Sequence, residues 1–197
     1  MIRMKQSIKD TIQQSIAVKT MFLNDESAIA KIETVAQKMI ESYKAGGKTM
    51  FAGNGGSAAD AQHLAAELVN RFRIDRLGLP ALALSTDTSV ITSIANDYGY
   101  DFLFSRQIAA LGKEGDVFIG ISTSGNSENI VKALQYCKEK HIFSVGLIGG
   151  NGGKMAQLCD VSIVVPSCET ARIQEVHILV GHILCGLVED AIFRKNK

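Results

Sequence analysis

From Thr49 onward, five apolar runs of four to six residues alternate with longer stretches of helical rhythm. The runs are Thr49–Ala52, Ala81–Leu84, Val117–Ile121, Phe143–Ile148 and Val161–Val165. Each is too short to be a helix and carries no interior proline, so each reads as a strand. Between them lie segments with helical spacing, Ser57–Phe72, Phe102–Leu111, Ser127–Lys140 and Gly153–Leu158, and Ala171–Phe193 closes the chain as one long helix. Strands joined through helices pair in parallel by right-handed crossovers, and a parallel sheet needs both faces covered. The expected architecture is a three-layer α/β sandwich around a five-stranded parallel sheet, with extra helices at both ends.

Before Thr49 the rhythm is purely helical. Ile8, Ile12, Ile16 and Phe22 or Leu23 recur at near-helical spacing over residues 2–23. Asn24 or Asp25 can cap a second helix running to about Tyr43, with Ile29, Ile32, Val35, Ala36 and Met39 turned inward, and Ala45-Gly46-Gly47 stops it. The 197 residues suit one domain, taken as 1–197 with 1–45 as its N-terminal helices.

A formal net charge of +1 argues against nucleic-acid binding driven by overall charge. The N-terminus lacks the apolar block of a signal peptide, and the apolar stretch Ile178–Val188 falls short of the ~20 residues a membrane span requires. Cys137, Cys159, Cys168 and Cys185 form no C-x-x-C pair and read as buried thiols in a reducing compartment. The expectation is a cytoplasmic protein with neither nucleic acid nor membrane as partner.

Ligands of open parallel sheets bind beyond the carboxyl ends of the strands. Two of those ends are unusual here. Gly53-Asn54-Gly55-Gly56-Ser57 follows the first strand, where glycines admit a ligand to the backbone and a helix start offers free N–H groups. Ser122-Thr123-Ser124-Gly125-Asn126-Ser127 follows the third, with four hydroxyls and another helix start. Either loop alone could be a capped turn; together they favour a ligand with a phosphate and several hydroxyls. The spacing Gly53-x-Gly55-x-x-Ala58 also fits a weak dinucleotide pattern. The acidic residue that pattern wants falls in Asn70–Asp75, before the second strand rather than at its end, although Asp87 follows it. The serine loop has no part in such a site.

Acid/base or metal chemistry has its candidates on two helices. His63 and Glu67, four apart, share a helix face, and Gln174, His177 and His182 interrupt the apolar pattern of the last helix. Such groups can hold a divalent ion through mixed N/O ligands or act as an acid/base pair. Gln174 and His182 stand about 12 Å apart along a straight helix, so one site takes both only with extended side chains, or with groups from two subunits. Asn96-Asp97-Tyr98-Gly99-Tyr100-Asp101 reads as a loop in which Asn96 and Asp97 could meet sugar hydroxyls. Arg71, Arg73 and Arg76 read as a solvated basic surface, and His141 as the end of a helix.

Taken together these segments resemble the SIS (sugar isomerase) fold, flavodoxin-like or Rossmann-like in kind, and within it the phosphoheptose isomerase family. The resemblance covers nearly the whole chain. It rests on Gly53–His63, Glu67-Leu68 with Arg71-Phe72, Ala95–Gly99, Gly115–Val117, Ile121–Ser127, Gly152–Met155, and Arg172–Glu175 with His177 and His182. Gly146–Gly150 departs from the threonine-containing form of the family at that place.

The resemblance implies conversion of sedoheptulose 7-phosphate to D-glycero-D-manno-heptose 7-phosphate through an enediol, toward nucleotide-activated heptose. It implies a homotetramer with active sites at subunit interfaces, and one Zn²⁺ per subunit held by His63, Glu67, Gln174 and His182. Glu67 and His182 would be the acid/base pair. Asn54, Gly55, Gly56, Ser57, Glu67, Asn96, Asp97, Ser122, Thr123, Ser124, Ser127 and Gln174 would hold substrate. The rival reading within the same fold is a non-catalytic tetramer that binds a replication initiator.

Overall fold

The computed structural model describes residues 2–194; residues 1 and 195–197, which the expected domain bounds include, lie outside the described residues. Five strands form one parallel sheet: β1 Thr49–Gly53, β2 Ala81–Ala83, β3 Val117–Ser122, β4 Phe143–Gly149 and β5 Val161–Val165, in the order β2-β1-β3-β4-β5. β1 and β3 are buried along their whole length, as a sheet covered on both sides demands. Their side chains alternate between two cores. Phe51, Val117, Ile119 and Ile121 face one, and Met50, Ala52 and Phe118 face the other.

The first core is closed by α1 (Ile2–Leu23), α2 (Glu26–Lys44), α3 (Gly56–Val69) and α7 (Thr170–Phe193). The second is closed by α5 (Leu103–Leu111) and α6 (Glu128–Glu139), so the three layers expected from the strand spacing are present. α2 starts where its cap was expected, the Asp25 carboxylate accepting the Ala28 N–H at 3.0 Å. Its inner face is Ala28, Ile32, Val35, Ala36, Met39 and Ile40; Ile29 points outward instead.

α7 is apolar and long enough to cross a bilayer by length and composition, contrary to the sequence reading, which saw only its short apolar centre. In the fold it lies against α2, α3 and the sheet, burying residues from Arg172 to Glu189.

Four further expectations are corrected. An additional helix, α4 (Thr88–Tyr98), occupies what was read in part as a loop, so Asn96 and Asp97 stand in its last turn. Threonine, serine and β-branched residues fill it, so its propensity is weak, and it rests on the second core only through the half-buried Ile91 and Ile94. Its marks are at the ends, Asp87 accepting the Val90 N–H and Gly99 at φ 90°. Residues 153–158 make only a 3₁₀ turn at Met155–Gln157, because Gly152 and Gly153 take positive φ. α3 ends at Val69 rather than Phe72. Arg76, expected in solvent, has a side chain only 1% exposed.

Candidate active site

The strand order reverses direction between β1 and β3, and that is where a ligand crevice opens in sheets of this order. Gly53 pairs in register with Ile121, so the glycine loop and the serine loop leave neighbouring strands side by side.

A reciprocal amide pair fastens the two loops. Asn54 donates to Asn129 Oδ1 at 3.0 Å and accepts from Asn129 Nδ2 at 2.9 Å, and Tyr100 Oη donates to the same Asn54 oxygen at 2.9 Å. Asn129 is buried at the start of α6. The Asn54 side chain is therefore spent on support. Asn129 and Tyr100 had no role in the sequence reading, because an Asn at the second residue of a helix carries no distinguishing signal.

The serine loop is held from below. Met155 N–H donates to Gly125 O and Lys154 N–H to Asn126 Oδ1, both at 3.0 Å, so the left-handed turn after β4 clamps it. Gly125 has φ 65° with Gly152 O against its α-carbon, so no side chain fits there. Ser122 Oγ lies 2.9 Å from Ser127 Oγ and 3.4 Å from Ser124 Oγ. Ser127 is the N-cap residue of α6, yet its hydroxyl caps nothing. The early N–H groups of α6 and this row of hydroxyls form a cradle for an anion. Lys154 pairs with Glu128 at 3.1 Å, so what the loop can offer an anion is N–H and O–H groups.

α7 runs across the back of both loops. Ile173 packs against Gly149, and the Gln174 amide rests on Gly56, where a Cβ would come within 2.5 Å of Nε2. One turn on, His177 is fully buried, and neither ring nitrogen has a hydrogen-bond partner among the described residues. Burial lowers its pKa to about 4, only partly offset by the backbone of Ile148. Gly181 allows α7 to approach Leu64 of α3.

That approach brings His182 to α3. His63 Nε2 is 2.9 Å from His182 Nε2 and 3.3 Å from Glu67 Oε1. One donor atom from each of the three residues lies within 4.8 Å of the others. Two imidazole nitrogens facing each other beside a carboxylate suit a shared cation, since tetrahedral Zn²⁺ sets its nitrogen ligands roughly 3.3 Å apart. Three of the four expected ligands thus converge. Gln174 is turned to Gly56, seven residues and about 10 Å before His63 along α3.

Asp60 stands one turn before His63, with Oδ2 buried and unpartnered among the described residues. Burial raises its pKa, and His63 opposes the rise. Asp60 had no part in the sequence reading, although its spacing of three and seven residues from His63 and Glu67 could have marked it.

Two residues outside the cluster shape it. The Phe72 ring stacks on His182, centroids 5.6 Å apart and planes 24° from parallel. Glu189 of α7, fully buried, accepts the N–H groups of Phe72, Arg73 and Ile74 at 3.0, 2.8 and 3.2 Å, and Arg76 Nε at 2.9 Å. These bonds draw residues 72–74 away from α3, which explains its early end. Burial alone would raise the Glu189 carboxyl; the three N–H groups and the guanidinium outweigh it and lower the pKa.

Asn96 and Asp97 are exposed, Asn96 Nδ2 donating to Asp97 Oδ1 at 2.8 Å, and reach the loops only through the neighbouring Tyr100. A cleft of about 500 Å³ lies elsewhere, between β2, α4 and α5. Of the cysteines, Cys137 and Cys185 are buried as expected, Cys159 is half-buried, and Cys168 is exposed at the rim of a 360 Å³ cleft beside Thr123 and Ser124.

Residues 14–149 match the family model of the SIS domain. The chain is 64% identical over 193 residues to a phosphoheptose isomerase of Aneurinibacillus thermoaerophilus, covering 98% of each. It is 57% identical to phosphoheptose isomerase 2 of Campylobacter jejuni, covering 96% of this chain and 94% of that one. A solved structure of the phosphoheptose isomerase of Neisseria gonorrhoeae superposes with a TM-score of 0.89 at 40% identity, covering 95% of this chain and 99% of that one.

Proposed function

The chain belongs to the SIS domain family and, within it, to the phosphoheptose isomerases, and from that premise we infer how its residues interconvert sedoheptulose 7-phosphate and D-glycero-D-manno-heptose 7-phosphate. The observation that carries the reading is the joint presence of an anion cradle at β1/β3 and the His63–Glu67–His182 cluster. A replication-initiator scaffold has no need of the second.

The hydroxyls of Ser122, Thr123, Ser124 and Ser127, with the N-terminal N–H groups of α6, hold the phosphate. The backbone of Asn54–Ser57 and the Gln174 amide line the path of the sugar. Asn96 and Asp97 bind its hydroxyls from the end of α4. Glu67 takes a proton from C1 as the C2 carbonyl oxygen gains one, which gives the cis-enediol. His182 then supplies a proton to C2 while the C1 hydroxyl gives up its own, leaving the aldehyde at C1. A carboxylate and an imidazole suit these transfers near neutral pH. Zn²⁺ would be held by His63, Glu67 and His182, with Gln174, whose amide stands at Gly56, as the expected fourth ligand; the ion would supply Lewis-acid polarisation of the substrate's oxygens.

The cluster lies about 10 Å down α3 from the mouth of the loops, and α1 turns Met4, Ile8, Ile12 and Ile16 to solvent, each at least 51% exposed. An apolar stripe of that length is a subunit contact. That stripe supports, beside the family resemblance, the proposal of a homotetramer with its sites completed at subunit interfaces, acting on a cytoplasmic sugar phosphate and feeding nucleotide-activated heptose synthesis.

The test is turnover of sedoheptulose 7-phosphate by the purified full chain, beside Glu67→Gln and His182→Ala, with zinc assayed in each. Wild type should carry about one zinc per chain and turn over, and each variant should lose on the order of 10²–10⁴ in rate. Folded, zinc-loaded wild type without turnover would overturn the reading.

A further inference from the structure

We propose that the buried Arg76–Glu189 pair is the positioning device of the acid/base pair, holding the backbone beneath Glu67 and the ring behind His182 at the same time. This inference rests on the isomerase reading of the site.

Arg76 is the hub on one side. Its Nη2 donates to the Glu67 carbonyl at 3.0 Å, and its Nη1 to Leu68 O at 2.8 Å, Leu77 O at 3.0 Å and Asn70 O at 3.3 Å. The last carbonyls of a helix lack partners within it, and α3 ends at Val69, so one guanidinium closes the turn that carries Glu67. Glu189 is the hub on the other side. It gathers the Phe72, Arg73 and Ile74 N–H groups, which sets the Phe72 ring against His182. The ion pair joins the hubs at 2.9 Å, with side chains 1% and 0% exposed. Glu189 lies seven residues, about two turns, beyond His182 on α7, so the helix that carries the imidazole also carries its brace.

Plain stabilisation does not require this arrangement. A buried ion pair is often no more stabilising than well-packed apolar residues of similar volume, whereas it does hold several backbone groups in one geometry. Here Glu67 O and Leu68 O lie in the turn that carries Glu67, the Phe72 N–H leads to the ring stacked on His182, and none of the groups it holds belongs to the glycine or serine loop. The device should therefore govern the rate of the proton transfers and the grip on the metal, and leave phosphate binding alone.

Three variants of the full chain, prepared as the zinc protein, test this. Glu189→Gln keeps the shape and replaces one acceptor oxygen by a donor. Arg76→Met with Glu189→Met replaces the whole pair by apolar groups of similar length. Phe72→Ala removes the brace while leaving the pair intact, and stays informative should the other two fail to fold. Each is read by kcat and KM for sedoheptulose 7-phosphate and by the rate at which a chelator removes zinc.

The expected result is a fall of tenfold or more in kcat, a KM within about twofold of wild type, and several-fold faster zinc loss. A double variant that folds as well as wild type and still shows the low kcat would support positioning over stability. Wild-type kcat and zinc retention in folded Glu189→Gln or Phe72→Ala would overturn the proposal. So would a loss of rate that only tracks the unfolded fraction. Should wild type itself not turn over, the isomerase reading fails, and zinc retention alone decides the positioning claim.

Discussion

Replacing Gly56 by alanine should separate function from stability more cleanly than any change to a charged residue of the site. Gly56 opens α3, its φ is ordinary, and the space for a Cβ is filled by the Gln174 amide, with Nε2 at 2.5 Å and Cδ and Oε1 at 3.1 Å. Ordinary contact begins near 3.4 Å, so the amide must retreat by about 1 Å. It is the tip of a flexible side chain and can do so without disturbing backbone. Meanwhile the helix gains, since alanine is favoured over glycine by up to ~1 kcal/mol in a helix interior and by less at its first residue. For a chain of this size that corresponds to roughly 2–4 °C in Tm at most. A displacement of about 1 Å in a substrate-positioning group can cost up to ~10²-fold, or about 2.7 kcal/mol at 1.36 kcal/mol per decade. Thermal denaturation of Gly56→Ala should therefore show Tm equal to or slightly above wild type. Steady-state kinetics should show kcat/KM for sedoheptulose 7-phosphate lowered by ten- to a hundredfold, mostly through KM. Wild-type kcat/KM with unchanged Tm would refute the placement of Gln174 on the substrate path, and a large fall in Tm would refute the packing argument.

Two further outcomes follow from buried and exposed groups away from the phosphate. His177 has its pKa depressed from 6.5 to about 4, so it is neutral in both folded and unfolded chains above pH 7.5, and on acidification the unfolded chain takes up a proton first. Stability should fall by up to about 3 kcal/mol between pH 6.5 and pH 4 from this group alone; metal-free His177→Leu should lose less over that range, and an identical pH dependence of Tm would sink the idea. Ile12 and Ile16 are 56% and 51% exposed on α1, so Ile12→Asp with Ile16→Asp should leave the subunit folded but reduce the mass found by light scattering from a tetramer to a smaller species, and a monomeric wild type would refute the assembly.

How much of this was legible depended on whether a feature is local. Strand and helix periods are local, so all five strands were found, each within a residue of its observed end. Both candidate loops were visible too, because glycine and clustered hydroxyls after an apolar run are an unusual composition. So was the likeness to sugar isomerases, since motif residues keep their spacing along the chain whatever the packing. α4 was missed because threonine, serine and β-branched residues are weak helix formers and its apolar stripe, Val90, Ile91 and Ile94, is short and only half-buried.

Tertiary structure decided the rest. The adjacency of the two loops follows from the crossover that sets β1 beside β3, which no residue of either loop encodes. The meeting of His63 and Glu67 with His182 depends on how closely α3 and α7 pack at Gly181, across more than a hundred residues of intervening chain. Arg71, Arg73 and Arg76 look alike in sequence, yet only Arg76 pairs with a buried carboxylate, because the fold brings Glu189 to it from 113 residues along the chain. A charge is cheap in water and costly in a core, so its meaning depends on which partner the fold brings to it, and the chain order does not carry that information.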